Sequence, residues 1–540
     1  MHHLYGARRT TGVALLLSLC ACSGGGGDNN QSSREIQLSP QSISFSAVGP
    51  DAPAPETQVV TATLGEGAAN VSITFSGRGV DTVTSTVTGN TAQIAIKPSI
   101  PSSLGAGIFT TTVAATGYFC ADSACSRLDA GGSQTMKVTY QVSPVVQQVG
   151  PKVAIAGIPD QAVIRGVGFR AFTIGSVKFG DVAATDVTVF SDTEIHANYP
   201  ALAAGSYPIV LDIASHQGAV PSLASVLAVD PTTFAAQALA WPDTVTNVYQ
   251  VIYDIQHTAV LVATDGNGGE ILRYAYANGA WSAPTVLALP NVRDMALTND
   301  GAQLLAISTT QLIPIDPVAL TAATAVSAPT LAAGATLKNI VVSNVNRATI
   351  TAAQGPTPTP LYDYNPATGV VTKLTGSLIN ATPGMSANGA IVVLTQGDPS
   401  ITTAPPVYYG DASTGTITAT PLSLNQNSVY PALDRNVSRL VLAGQNVYSS
   451  ALALQGLLPA TTLAVALSPD GTRAYTYDSA AAAVLVFDIS ATNNATAYPQ
   501  LGSAVALPGS PGSSVRMILS LDGKTLFIAG TTQLVVLPTP

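Results

Sequence analysis

Apolar and polar residues alternate with the period of a β-strand in the first third of this chain. In "SISFSAV", Ile43, Phe45 and Ala47 fall on one face and Ser44 and Ser46 on the other. "NVSITFSG", "TAQIAIKP", "GIFTTTVAATG" and "QTMKVTYQV" follow between Gly, Pro and Asn turns, which predicts a β-sandwich from Ile36 to about Pro144. From about Pro231 onward the pattern becomes a repeat of apolar strand, polar turn and second apolar strand. It is spelled "VIYDIQHTAVLVAT", "MALTNDGAQLLAIS", "IVVSNVNRATITA", "GMSANGAIVVLT", "ALDRNVSRLVLAG", "VALSPDGTRAYTY" and "LSLDGKTLFIAG". The turns lie near His257, Gly301, Arg347, Gly389, Asn436, Gly471 and Gly523, about 44 residues apart on average, a period that fits one four-stranded sheet per repeat. The terminal "QLVVLP" is expected to pair with a strand from near Ala235.

The N-terminus has a different character. Met1–Arg9 carries Arg8 and Arg9 and no acidic residue, and Gly12–Leu19 is the apolar run "GVALLLSL". This is the layout of a secretory signal, and the run is too short to span a bilayer. "SGGGGDNNQSSRE" has little to bury and much entropy to lose on ordering, so residues 22–35 are expected to form a flexible tether. The chain is 46% hydrophobic but only 9% charged, so its polar surface rests on Thr, Ser, Asn and Gln. Its 21 Lys and Arg residues are scattered, which argues against a nucleic-acid partner. Cys120 and Cys125 in "FCADSACSRL" are expected to form a disulfide at a hairpin tip, since their spacing is not C-x-x-C and two thiolates are too few for a structural zinc site.

Four family resemblances extend this reading. "LCAC" resembles the lipobox of a bacterial lipoprotein, with Leu19 and Ala21 at the expected positions before Cys22. The resemblance implies removal of residues 1–21, diacylglycerol on the Cys22 thiol, a fatty acid such as palmitate on the new amino terminus, and, with Ser23 following, the outer membrane as address. Cys20 is then discarded with the signal peptide. "LSPQSISFSAVGPDAPAPETQVV" and "MKVTYQVSP" resemble a BACON-like immunoglobulin-like domain, assigned to 36–145. "VIRGVGF", "GSVKFGDVAATDVTVFSDTEIHANYP" and "LAAGSYPIVLDI" resemble an IPT/TIG domain, assigned to 146–230. "LSPDGTRAYTYD" and "LSLDGKTLFIAG" resemble the repeat of YVTN and lactonase-like propellers, assigned to 231–540. The fold expected is all-β: two immunoglobulin-like β-sandwiches followed by a seven-bladed β-propeller.

No catalytic constellation stands out. His196, His216 and His257 lack metal-ligand spacing, and no G-x-S-x-G elbow is present. The aspartates of the repeats, such as Asp470 and Asp522, occupy turn positions where Asp caps its own backbone. "TDGNGGE" offers Asp265, Asn267 and Glu270 as a weak calcium candidate, short of the EF-hand pattern; no other cofactor is expected. The expectation is a lipid-anchored protein of the outer membrane, facing the periplasm or the cell surface. It would bind or scaffold an envelope or extracellular protein or a glycan, without evident catalytic activity. The alternative is a metal-dependent hydrolase of lactonase-like type.

Overall fold

The computed structural model describes residues 34–214, 220–327, 331–366, 368–374, 376–398, 400–425, 430–459, 464–492 and 497–540. Among them the protein is all-β, built from many small and mostly antiparallel sheets. Two compact units are present. Among the described residues, the first comprises 34–148, 164–197 and 208–224; the second comprises 149–163, 198–207 and 225–540.

In the first unit, Ile36–Ser39, Gln58–Leu64, Thr91–Pro98 and Val80–Thr88 form one sheet in that order. Ser42–Ala47, Leu128–Val142, Gly107–Cys120 and Ala68–Gly77 form a second. The alternation read from "SISFSA" is realised as strict alternation of exposed and buried positions. Ile43, Phe45 and Ala47 join Ile94, Ile96, Val113 and Tyr140 in a core shared by both sheets. The longest hairpin, Gly107–Cys120 against Leu128–Val142, carries the Cys120–Cys125 disulfide at its tip, with the Cα atoms 4.7 Å apart. Asp122 closes this tip by accepting the backbone amides of Ala124 at 3.1 Å and Ser126 at 2.9 Å.

Among the described residues, the second unit contains seven small antiparallel sheets. The first pairs Gln237–Ala240 with Gln533–Pro538, Thr525–Ala529 and Arg516–Leu519, joining the start of this region to the chain end through Gln237↔Val536 and Ala240↔Gln533. Neighbouring sheets share cores: Leu261 and Ile271 of one pack with Met295 and Leu304 of the next, and Tyr475 and Val484 with Met517 and Leu526.

The repeated "SPDG" phrase has a local physical cause. Ser468 Oγ accepts the amides of Thr472 at 3.2 Å and Arg473 at 2.9 Å while donating to Asp470. Ser520 does the same for the Thr525 amide at 2.9 Å, and Ser386 for the Ile391 amide at 2.9 Å. Thr298 takes the Gln303 amide at 2.9 Å. Gly471 and Gly523 adopt φ of +67° and +73°, the left-handed region that favours glycine. A hydroxyl, a short acceptor two residues on and a glycine together close this turn. Ser520→Ala should leave the buried Thr525 amide without its side-chain acceptor and cost about 1–2 kcal/mol. A lowered urea midpoint is the expected result; an unchanged midpoint would refute this account of the turn.

Two expectations are corrected here. The strand pairing supports neither two immunoglobulin-like sandwiches nor a seven-bladed β-propeller as the fold. Among the described residues the backbone ladders stop at the edges of each small sheet and none closes on itself. The 44-residue period is a property of the repeated turn and its flanking strands. These fix a local sheet, and local hydrogen bonding does not specify closure.

Candidate functional site

One strand from each of the seven sheets of the second unit contributes to a cavity of about 440 Å³. Its wall is largely aliphatic, with Val251, Met295, Ile340, Met385 and Val465 among the lining residues. Polar groups gather at the beginnings of the lining strands. Arg516 opens Arg516–Leu519, Asp294 opens Asp294–Leu297, Lys338 and Asn339 lie early in Thr336–Val342, and Tyr430 precedes Ala432–Leu433.

These groups are tied to one another. Asp294 is fully buried and accepts the Met295 amide at 2.8 Å, the Ile340 amide at 3.1 Å and Asn339 Nδ2 at 2.9 Å. Asn339 Nδ2 also donates to the Tyr430 hydroxyl oxygen at 2.5 Å, while Asn339 Oδ1 is buried without a partner. The Arg516 guanidinium lies 4.0 Å from the Tyr430 ring centroid, and its Nε donates to the Tyr249 carbonyl at 3.2 Å. Lys338 Nζ donates to the Asn380 carbonyl at 2.6 Å and to Thr382 Oγ1 at 2.8 Å.

Burial sets the ionisation of this cluster. Desolvation pushes Asp294 up to about 6, although Asn339, two backbone amides and the charge of Arg516 oppose it. Desolvation brings Lys338 down to about 8, with the Arg516 charge acting in the same sense and Asp294 against it. Tyr430 is pushed up to about 12 by burial and by Asp294, so its hydroxyl stays protonated at neutral pH. Arg516 is absent from the ion pairs found among the described residues.

At the other ends of the lining strands, Arg435 is held by Asp160 Oδ2, with Nη2 at 2.6 Å and Nε at 2.8 Å. Both side chains are buried, at 9% and 3% exposure. This pair fastens the segment 149–163 to the turn after Ala432–Leu433.

The cluster was not read from the sequence, yet a signal exists. Counting back four residues from the turn residues Asp254, Thr298, Ser343, Ser386, Asp434, Ser468 and Ser520 gives Gln250, Asp294, Asn339, Thr382, Tyr430, Ala464 and Arg516. Six of these seven are polar, directly before or at the start of apolar strands.

The residues singled out from the sequence are dispersed. Cys22 and Cys20 lie outside the described residues, as does His216. Asp265 accepts the amides of Thr246 at 2.9 Å and Asn247 at 2.8 Å, and Asn267 donates to Asp243 at 2.6 Å. Glu270 is buried, accepts from Thr264 Oγ1 at 3.2 Å and is held above the ordinary carboxylate range by desolvation. The three calcium candidates thus serve three local bonding patterns, and no cluster of three or more His, Cys, Asp or Glu suited to a metal ion occurs among the described residues. His257 Nδ1 meets Asp254 Oδ2 at 2.7 Å, and His196 meets Glu194 at 2.6 Å, which Arg165 pairs at 2.9 Å. Among the described residues no helix is long and apolar enough to cross a membrane.

No family model matches this chain, and no curated protein does. Among solved structures, it is similar to Kuenenia stuttgartiensis hydrazine synthase at 12% identity, with 55% of this chain and 96% of that chain covered and a TM-score of 0.44. It is also similar to the Myceliophteria thermophila Cps50 (Swd1) beta-propeller domain at 14% identity, covering 55% of this chain and all of that one, with a TM-score of 0.40. Likenesses this distant carry no argument about fold or function. The BACON-like, IPT/TIG and YVTN/lactonase-like family resemblances are corrected accordingly: short phrases such as "SPDG" arise from turn chemistry that unrelated β proteins share, and no family model extends them; none extends the lipoprotein resemblance either, whose "LCAC" lies outside the described residues.

Proposed function

We propose that this chain is a binding protein of the bacterial cell envelope, held at the outer membrane by lipid on Cys22, with the cavity of the second unit as its recognition element. The observation that supports binding is the cavity itself, an apolar chamber whose polar groups converge at the strand starts. Anchoring is supported by the charged-then-apolar run ending in "LCAC" and by the Gly-rich stretch behind it. The ligand reaches this site from the periplasm or the cell surface, as a small molecule or as the terminal group of an envelope protein or glycan. No observation favours hydrolysis: Asp254, which lines the cavity, is engaged by His257 Nδ1 and the Gln256 and His257 amides, and Asp294 by Asn339 and two backbone amides.

Anchoring has a direct test in cell fractionation. Cys22→Ala should release or misprocess the protein, and Cys20→Ala should leave it with the membrane. Equal membrane retention of the two variants would overturn the assignment.

A further inference from the structure

The geometry points to a carboxylate-bearing ligand with an apolar body as the occupant of this cavity, its anion received by Arg516 and Tyr430. The inference rests on the binding role proposed above and specifies the ligand's chemistry. It begins with the phenol of Tyr430. The hydroxyl oxygen already accepts a hydrogen bond from Asn339 Nδ2, and Arg516 also bonds to this side chain. An oxygen taking two donors directs its own proton elsewhere. Tyr430 lines the cavity and is half-buried, so that proton is offered to an occupant.

The guanidinium of Arg516 is fixed in the same place. Its face is stacked on the Tyr430 ring, its Nε is bonded to the Tyr249 carbonyl and it also bonds the Tyr430 hydroxyl, so the remaining terminal N–H donors form the open end of the fork. No carboxylate occupies that end among the described residues. A pre-positioned fork with a neighbouring O–H donor matches the two oxygens of a carboxylate. The charge count agrees: Arg516 and Lys338 are cationic against the single carboxylate Asp294, so the cluster is one anion short of neutrality. Beyond the fork the wall is aliphatic, through Val251, Met295 and Ile340, which favours an apolar body over a polyhydroxylated one.

Benzoate and benzamide make the test, since they share a shape and differ in charge. Both are titrated into the protein lacking residues 1–21, followed by calorimetry and thermal shift. Benzoate should bind and raise the melting temperature, with benzamide at least about tenfold weaker. Arg516→Met should abolish the difference between the two. Tyr430→Phe keeps the stacked ring and removes only the hydroxyl, so it should weaken benzoate while leaving the fold intact. Benzoate affinity should fall as pH rises through about 6, where Asp294 gains charge, and fall again through about 8, where Lys338 loses it. Tyr430 stays protonated over that range. Equal binding of benzoate and benzamide would overturn the anion inference and leave the binding role standing. No binding of either at about 10 mM, where even a millimolar ligand stabilises measurably, would overturn both.

Discussion

Deleting the last eight residues, Gln533–Pro540, should abolish cooperative unfolding of the second unit. The strand Gln533–Pro538 lies between Gln237–Ala240 and Thr525–Ala529, so its loss takes the ladder partner from the first and leaves the second paired on one side only, with Arg516–Leu519. It also removes Leu534, Val535, Val536 and Leu537, all buried. At about 1.5–3 kcal/mol for each buried aliphatic side chain, the apolar loss alone is about 6–12 kcal/mol. A typical domain has about 5–15 kcal/mol of total stability, so the effect exceeds a shift in midpoint. Phe234, Phe527 and Trp281 share a core with Leu534 and Val536 and should become accessible to solvent, which intrinsic fluorescence reads. Removing only Thr539 and Pro540 serves as the control. It costs the hydrogen bonds of the Thr539 amide to Lys524 and of Arg473 to the Pro540 carbonyl, and should lower the midpoint only slightly. An unchanged melting curve for the eight-residue deletion would refute the claim that the chain end completes this unit.

The second large effect belongs to the buried ion pair. Asp160→Ala would leave the Arg435 guanidinium, 9% exposed, without its carboxylate, and Arg435 Nη1 is already buried without a partner. An uncompensated buried charge costs about 3–5 kcal/mol. Arg435→Met alone leaves the Asp160 carboxylate, 3% exposed, without its guanidinium and should cost a similar amount. The double variant Asp160→Ala, Arg435→Met should recover part of the loss, because neither charge then remains buried alone. A urea-unfolding double-mutant cycle gives the coupling directly. If Asp160→Ala unfolds at the wild-type midpoint, the pair does not fasten 149–163 in the way described.

Both effects depend on contacts whose partners are far apart in the chain, and this marks the limit of what was legible in the sequence. Period-two alternation put Ile43, Phe45 and Ala47 on the inward face because a strand bordering one core has no other solution. The turn aspartates were legible for a similar reason: Asp470 and Asp522 act within a few residues of themselves. Asp160 and Arg435 are 275 residues apart, and nothing in either local sequence specifies the other. The polar cluster of the cavity stayed hidden for a subtler reason. Asp294, Asn339 and Arg516 each look like the polar flank of an apolar strand, and only their common offset from the turn residue places them together. Domain-scale architecture was the least legible level. The repeat period predicts small sheets well, but closure and family membership need information beyond a turn phrase, and neither the strand pairing nor the comparisons supplied it. The proposed N-terminal anchor falls outside the described residues, and its reading rests on the charged-then-apolar run and "LCAC" alone.

The proposed recognition site of the second unit is centred on Arg516 and Tyr430. Calorimetric titration of benzoate into the wild-type chain and into Arg516→Met, near pH 5.5 where Asp294 is mostly protonated, tests it most directly. The account predicts saturable binding at one site per chain in the wild type and affinity at least about tenfold weaker in the variant. Equal affinity in the two proteins, or no heat in either, would contradict it.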